Sequence, residues 1–228
     1  GNRKLKKSVV IANEHNELKT KFIRNISSQM EPTLNTLGTS AKELSAQAPR
    51  YAEQMQAQVA ALKQFSDNIQ ELSSLENSLT EPYEMGEVNA GTFCESVMEK
   101  AKEFMKPDVT PSVHAPKLQV KTNKEQLERI LLYLLKNAAF YTEQGRISLD
   151  FKKRGAHTHQ FIITDTGTGI PAEQQENLFK PFTQVKDLTT GDGLGLPICS
   201  LIATKMNGSL TLDTSYTKGC RFILELHA

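Results

Sequence analysis

The chain has 228 residues, 38% of them hydrophobic, and a formal net charge of +1 from 27 Lys and Arg against 26 Asp and Glu. That hydrophobic content fills a core and excludes a disordered chain, while a charge so close to zero gives no global pull toward nucleic acid, so no nucleic-acid partner is expected. Three widely spaced cysteines, Cys94, Cys199 and Cys220, form no CxxC pair and read as buried thiols of a reducing compartment, and no run of about 18 apolar residues is present to span a bilayer.

From residue 5 to residue 79 there is one glycine, Gly38, and two prolines, Pro32 and Pro49, among many Ala, Glu, Gln, Lys and Leu, which predicts two long helices. In the first, Ile11, Leu18, Phe22, Ile26, Met30, Leu34, Leu37 and Leu44 make a drifting apolar stripe. In the second, Leu62, Phe65, Ile69, Leu72 and Leu79 form a seam that Glu76 interrupts. Pro49 separates the two, so they should fold back as an antiparallel hairpin. Arms of about 50 Å have too little core of their own. The hairpin is therefore expected to dimerise into a four-helix bundle. The basic start, Arg3, Lys4, Lys6 and Lys7, fits either the cytoplasmic flank of a membrane segment or an ordinary solvated helix end.

After a linker at Thr80 to Gly86, helices and strands mix. Phe93, Val97, Ala101 and Phe104 mark a helix ended before Pro107, and Leu118 and Val120 a short strand. Thr122 or Asn123 caps the next helix, whose Leu127, Ile130, Leu131, Leu134, Leu135 and Ala138 make a wide buried face. Two strands follow, Ile147 to Phe151 and Phe161 to Thr164, around a turn at Gly155. A helix from about Gly195 to Met206 and a final hairpin, Leu210, Leu212 against Phe222, Leu224, Leu226, complete the chain. The expected fold is α+β, with a helical hairpin over residues 1–80 and, over residues 81–228, an α/β sandwich with helices on one face of a mixed sheet.

Four short motifs fall in order within about 100 residues: Leu134-Leu135-Lys136-Asn137-Ala138-Ala139-Phe140-Tyr141-Thr142, Asp165-Thr166-Gly167-Thr168-Gly169, Leu178-Phe179-Lys180-Pro181-Phe182, and Gly191-Asp192-Gly193-Leu194-Gly195. Each alone reads as well as a turn, a hinge or core. Together they resemble the N, G1, F and G2 boxes of sensor histidine kinases, within the wider ATPase group that also contains gyrase, and imply the Bergerat α/β sandwich. The hairpin in turn resembles the dimerisation and histidine-phosphotransfer domain of that family.

The resemblance implies ATP and Mg2+ as cofactors. Asp165, at a strand end, would accept hydrogen bonds from the adenine amino group, with Gly167 and Gly169 letting the backbone approach the base. Gly193, Leu194 and Gly195 would offer backbone N–H groups to phosphate at a helix N-terminus. Asn137 would give a neutral carbonyl to the metal and Tyr141 would stack beside the nucleotide. Phe179 and Phe182 would anchor a short lid from Thr183 to Asp192. The family further implies a homodimer through the hairpin, a response regulator or receiver domain as partner, phosphorelay signalling, and a cytoplasmic fragment of a membrane-anchored bacterial sensor with an upstream sensory and membrane segment.

Several positions depart from the family pattern. The segment Phe22 to Asn35 aligns without a gap to the phosphoacceptor segment, yet Ser28 stands where the family has its histidine and Gln29 where it has the acidic general base. A hydroxyl of high pKa beside an amide that cannot act as a base is a poor nucleophile pair. Pro32 replaces the polar residue used in phosphatase chemistry, Tyr133 and Phe140 replace an asparagine and a basic residue of the N box, and Asp192 adds negative charge to the phosphate-binding turn. An impaired kinase or pseudokinase with reduced nucleotide affinity is expected. The alternatives are a dimeric signalling scaffold with a structural or empty pocket, and a kinase acting on Ser28 or on a partner's histidine.

Overall fold

The computed structural model describes residues 2–183 and 191–227, without the side chains of Asn25 and Gln29. The chain divides into two compact units: Gly1–Ser78 with Lys180–Ile198, and Leu79–Phe179 with Cys199–Ala228.

In the first unit, α1 (Asn2–Glu43) and α2 (Pro49–Glu76) are joined by a 3-10 turn at Leu44–Ala46. Pro49 opens α2 at a position where its missing N–H leaves no bond unmade. Pro32 sits inside α1. The helices run antiparallel, because contacts rising along α1 descend along α2: Lys19 pairs with Glu76, Asn35 accepts from Lys63, and Gly38 lies against Val59. The buried seam is thin and mixes Leu34, Val59 and Leu72 with the small or polar Ser27, Ala41, Ala52 and Ser66. Much of the α1 stripe stays outside it. Leu18 is 65% exposed and Phe22 64%, and Ile11, Ile26 and Leu37 are exposed too.

The second unit carries two sheets. β1 (Gly86–Asn89) pairs antiparallel with β3 (Gln119–Thr122). A five-stranded sheet has the order β2 (Asp108–His114), β4 (Gln144–Lys153), β5 (Thr158–Asp165), β7 (Cys220–His227), β6 (Gly208–Leu212), with β2 and β4 parallel and the other pairs antiparallel. Side chains alternate along β4 and β7, so that Ile147, Leu149, Phe151, Phe222, Leu224 and Leu226 are buried. Against them lie α3 (Ala90–Lys102), with Phe93, Val97 and Met98, and α4 (Lys124–Tyr141), with Leu127, Ile130, Leu131, Leu134 and Leu135.

Each fully buried leucine of α4 stabilises the unit by about 2 kcal/mol through area removed from water. Asparagines cap both helices: Asn89 accepts from the Thr92 amide at 3.0 Å and Asn123 from the Gln126 amide at 2.9 Å. A short helix α5 (Ala172–Gln175) follows β5, and α6 (Gly195–Lys205) precedes the last hairpin. All three cysteines are buried and outside any disulfide, and burial pushes Cys94 up to about 12 and Cys220 up to about 11. The α+β architecture expected from the sequence, a helical region followed by an α/β sandwich, is the one observed.

Candidate functional site

Asp165 closes β5 and is 4% exposed. Its Oδ1 accepts the Gly167 amide at 2.9 Å and the Cys220 amide at 3.2 Å, while Oδ2 accepts no hydrogen bond among the described residues. The carboxylate is thus fixed by one oxygen and presents the other. Burial raises its pKa above the ordinary value, and the two amides partly oppose that shift. The Tyr216 hydroxyl donates to the Asp165 carbonyl at 3.2 Å, and the guanidinium of Arg221 lies 4.3 Å from the Tyr216 ring centre. Tyr216 does not stand out in the sequence, and Cys220 does so only as a buried thiol within Thr217-Lys218-Gly219-Cys220-Arg221-Phe222, a stretch that resembles the last box of the family, not through its amide. The β5–β7 register, which sets Asp165 opposite Cys220, brings the strand to the site.

The glycines hold the turn close to its neighbours. A Cβ on Gly167 would lie 2.3 Å from the Tyr141 carbonyl oxygen and 2.7 Å from Thr142 Oγ1, so only glycine allows this loop to sit against the end of α4. Gly169, at φ +72°, approaches the Gly219 carbonyl. Thr142 is wholly buried and its hydroxyl has no hydrogen-bond partner among the described residues. It is a further polar group at the junction of α4 with the Asp165 turn.

Asn137 is half-buried on α4 and its amide makes no hydrogen bond among the described residues. Tyr141, one turn on, is 54% exposed and meets Phe140 edge-on at 4.9 Å. Phe140 is exposed as well, so no charge stands at that position. The charge nearby is Lys106, whose Nζ donates to the Phe140 carbonyl at 3.1 Å and pairs with Glu143.

Asp165, Gly167, Gly169, Asn137 and Tyr141 all belong to the second unit, whereas Gly193, Leu194 and Gly195 belong to the first. Gly193 has φ +69°, and the Leu194 amide donates to Asp192 Oδ1 at 3.0 Å. Ser28, in the first unit, is exposed on α1, and the side chain of Gln29 lies outside the described ones. Most of the expected lid, residues 184–190, lies outside the described residues too. Among the described residues no group of three or more His, Cys, Asp or Glu could hold a metal ion.

Residues 122–228 match the family described as histidine kinase-, DNA gyrase B- and HSP90-like ATPase. The aerobic respiration control sensor protein ArcB of Escherichia coli is 26% identical over 224 residues, covering 92% of this chain and 29% of ArcB. The structure of full-length ShkA in complex with AMPPNP superposes with a TM-score of 0.70 at 22% identity, covering 90% of this chain and 45% of that one. The histidine kinase AdeS of Acinetobacter baumannii gives a TM-score of 0.65 at 19% identity, over 87% and 96% of the two chains. These two structures share the fold. Residues 122–228 are thus similar to the ATPase domains of the histidine kinase- and gyrase-like type. The chain as a whole resembles the core of a sensor histidine kinase, a helical region followed by that domain. It spans less than a third of the length of ArcB.

Proposed function

We propose that this chain is the ATP-binding and dimerisation core of a two-component sensor, and that it does not phosphorylate itself. The observation that carries ATP binding is the divided carboxylate of Asp165, one oxygen held by two backbone amides and the other left free to accept from an amino group. The unpaired amide of Asn137 and the glycine-only approach of Gly167 to α4 fit the same ligand. When bound with Mg2+, ATP supplies a transferable phosphoryl group and a metal already held by phosphate oxygens. Asn137, whose side-chain amide makes no hydrogen bond among the described residues, would be the protein ligand this chain offers that metal.

What is missing is the acceptor. Ser28 is exposed, so access is not the obstacle; chemistry is, because a hydroxyl needs a base and Gln29 is not one. Incubation with radiolabelled ATP and Mg2+ is expected to leave the chain unlabelled, while the Ser28→His, Gln29→Glu double variant gains an acid-labile label. Label on Ser28 of the unaltered chain would refute the proposal. The rival reading is a non-catalytic dimeric scaffold whose pocket is structural or empty, and failure to bind a nonhydrolysable ATP analogue at millimolar concentration would decide for it.

The exposed apolar stripe of α1 supports a homodimer through the hairpin. Sedimentation equilibrium is expected to give twice the chain mass, and the pair Leu18→Glu, Phe22→Glu to give the single mass; a monomer for the unaltered chain at high micromolar concentration would rule the dimer out. A response regulator or receiver domain as partner, and an upstream sensor and membrane segment, follow from the family reading. Among the described residues no helix is long and apolar enough to cross a membrane.

A further inference from the structure

Two buried polar atoms of the second unit, Thr122 Oγ1 at the end of β3 and His159 Nδ1 on β5, make no hydrogen bond among the described residues. Thr122 is 2% exposed and His159 8%. Both line one cavity, with Val120, Phe161, Met85 and Met206. Alternation along each strand sets Thr122 on the face of β3 that carries Val120, and His159 on the face of β5 that carries Phe161, so the two polar side chains point into the cavity beside apolar ones. The space for the centre of a water-sized sphere is about 10 Å³, close to what one water molecule needs. His159 is held in place by stacking on Phe151, with ring centres 5.6 Å apart. Burial, helped by Lys153 opposite it on β4 and by His157, lowers its pKa below 6.5, so the ring is neutral near pH 7.

We propose that this cavity is the site of one buried water molecule, hydrogen-bonded to Thr122 Oγ1 and His159 Nδ1, that joins β3 to β5. A hydroxyl and a ring nitrogen walled in by methionine, valine and phenylalanine would each carry the full cost of lost hydration if left unpaired. Water both donates and accepts, so it satisfies the hydroxyl and the nitrogen together, and the space admits nothing larger. The bridge stands where the chain enters the unit. Thr122 lies in register with Gly86 of β1, the adjacent Asn123 donates its Nδ2 to the Glu84 carbonyl at 2.8 Å, and Met85 lines the cavity itself. The water therefore fastens the β1–β3 pair, the first part of the unit reached after the linker, onto the five-stranded sheet.

Two measurements on the whole chain test it. In urea unfolding, Thr122→Val, which keeps the shape and removes the hydroxyl, is expected to raise the unfolding equilibrium constant about tenfold, because it strands the water and His159 Nδ1. A hydroxyl that is merely unpaired gives the opposite sign, so a Thr122→Val chain more stable than the unaltered one would overturn the proposal. His159→Phe keeps the stacking on Phe151, and the double variant Thr122→Val, His159→Phe, with an apolar cavity, is expected to lose less than the sum of the two single changes. Fully additive losses would show that the two groups share no water. The second measurement needs no variant to fold: a nuclear Overhauser cross-peak between a long-lived water and the Thr122 γ-methyl group is expected in the unaltered chain, and its absence would overturn the bridge.

Discussion

Asp165→Asn is expected to abolish nucleotide binding and, at the same time, to make the folded chain more stable near neutral pH. The two effects come from one constraint. Oδ1 must accept from the amides of Gly167 and Cys220, so an asparagine has to place its carbonyl there and turn its NH2 toward the ligand. A donor then faces the adenine amino group, also a donor. The affinity of an ATP analogue should fall about 100-fold or more by titration calorimetry, and unchanged affinity would show that Asp165 does not read the base.

Stability moves the other way because burial raises the Asp165 pKa above its ordinary value of 3.8. A group raised in the folded state binds its proton more tightly there, so the folded chain loses stability as pH climbs from that value through the raised one. The loss persists at neutral pH. The asparagine carries no such proton, so urea midpoints of the two proteins should nearly coincide below pH 3.8 and separate above it, with the variant higher. A constant gap across the range would contradict the assignment of the shift to this carboxyl.

The largest loss of stability is expected from Gly219→Ala. Gly219 has φ +151°, and a Cβ there would lie 2.1 Å from the Asp165 carbonyl oxygen and 2.8 Å from its carbon. Those atoms are backbone, held in the β5–β7 ladder by the pairing of Asp165 with Cys220, and cannot swing aside as a side chain would. Strand separation at the site is the only relief, and it carries Asp165 with it. A cost of about 3–5 kcal/mol is expected. Gly155→Ala is the control: its φ is +126° but no atom lies within 4 Å of the added Cβ, so only the conformational strain of about 1–2 kcal/mol remains. Equal melting temperatures for the two variants would refute the steric argument.

The elements legible in the sequence are those whose signal is local. The α4 face and its Asn123 cap, the β4–β5 pair turning at Gly155, and α6 all follow from periodicity and turn chemistry within a dozen residues. β2 was hidden for a physical reason. Pro111 stands in its middle, and a proline argues against a strand unless the strand lies at a sheet edge, which is where β2 runs, parallel to β4. β1, four residues long, has too few positions to show alternation.

The site divides in the same way. Asp165 and its glycines stand out as a motif, whereas the Cys220 amide and the Tyr216 hydroxyl reach Asp165 from more than 50 residues away through strand register. Lys106, at the end of α4, comes from the turn before β2 and was equally invisible. In the hairpin the apolar stripe was plain, but which of its members a single antiparallel partner covers was not: Leu34 is buried and Phe22 is bare.

Pro32 within α1 has a mechanical meaning. A proline has no amide hydrogen to give to the carbonyl four residues earlier, and that carbonyl is the one on Ser28. A helix of 42 residues transmits bending and torsion through its ladder of backbone bonds, and here one rung is missing at Ser28. The long rod is therefore most compliant at Ser28. A tilt imposed on the basic end of α1 would be absorbed as a local bend there, and the half of the helix beyond Pro32 would receive less of it than an unbroken rod would deliver.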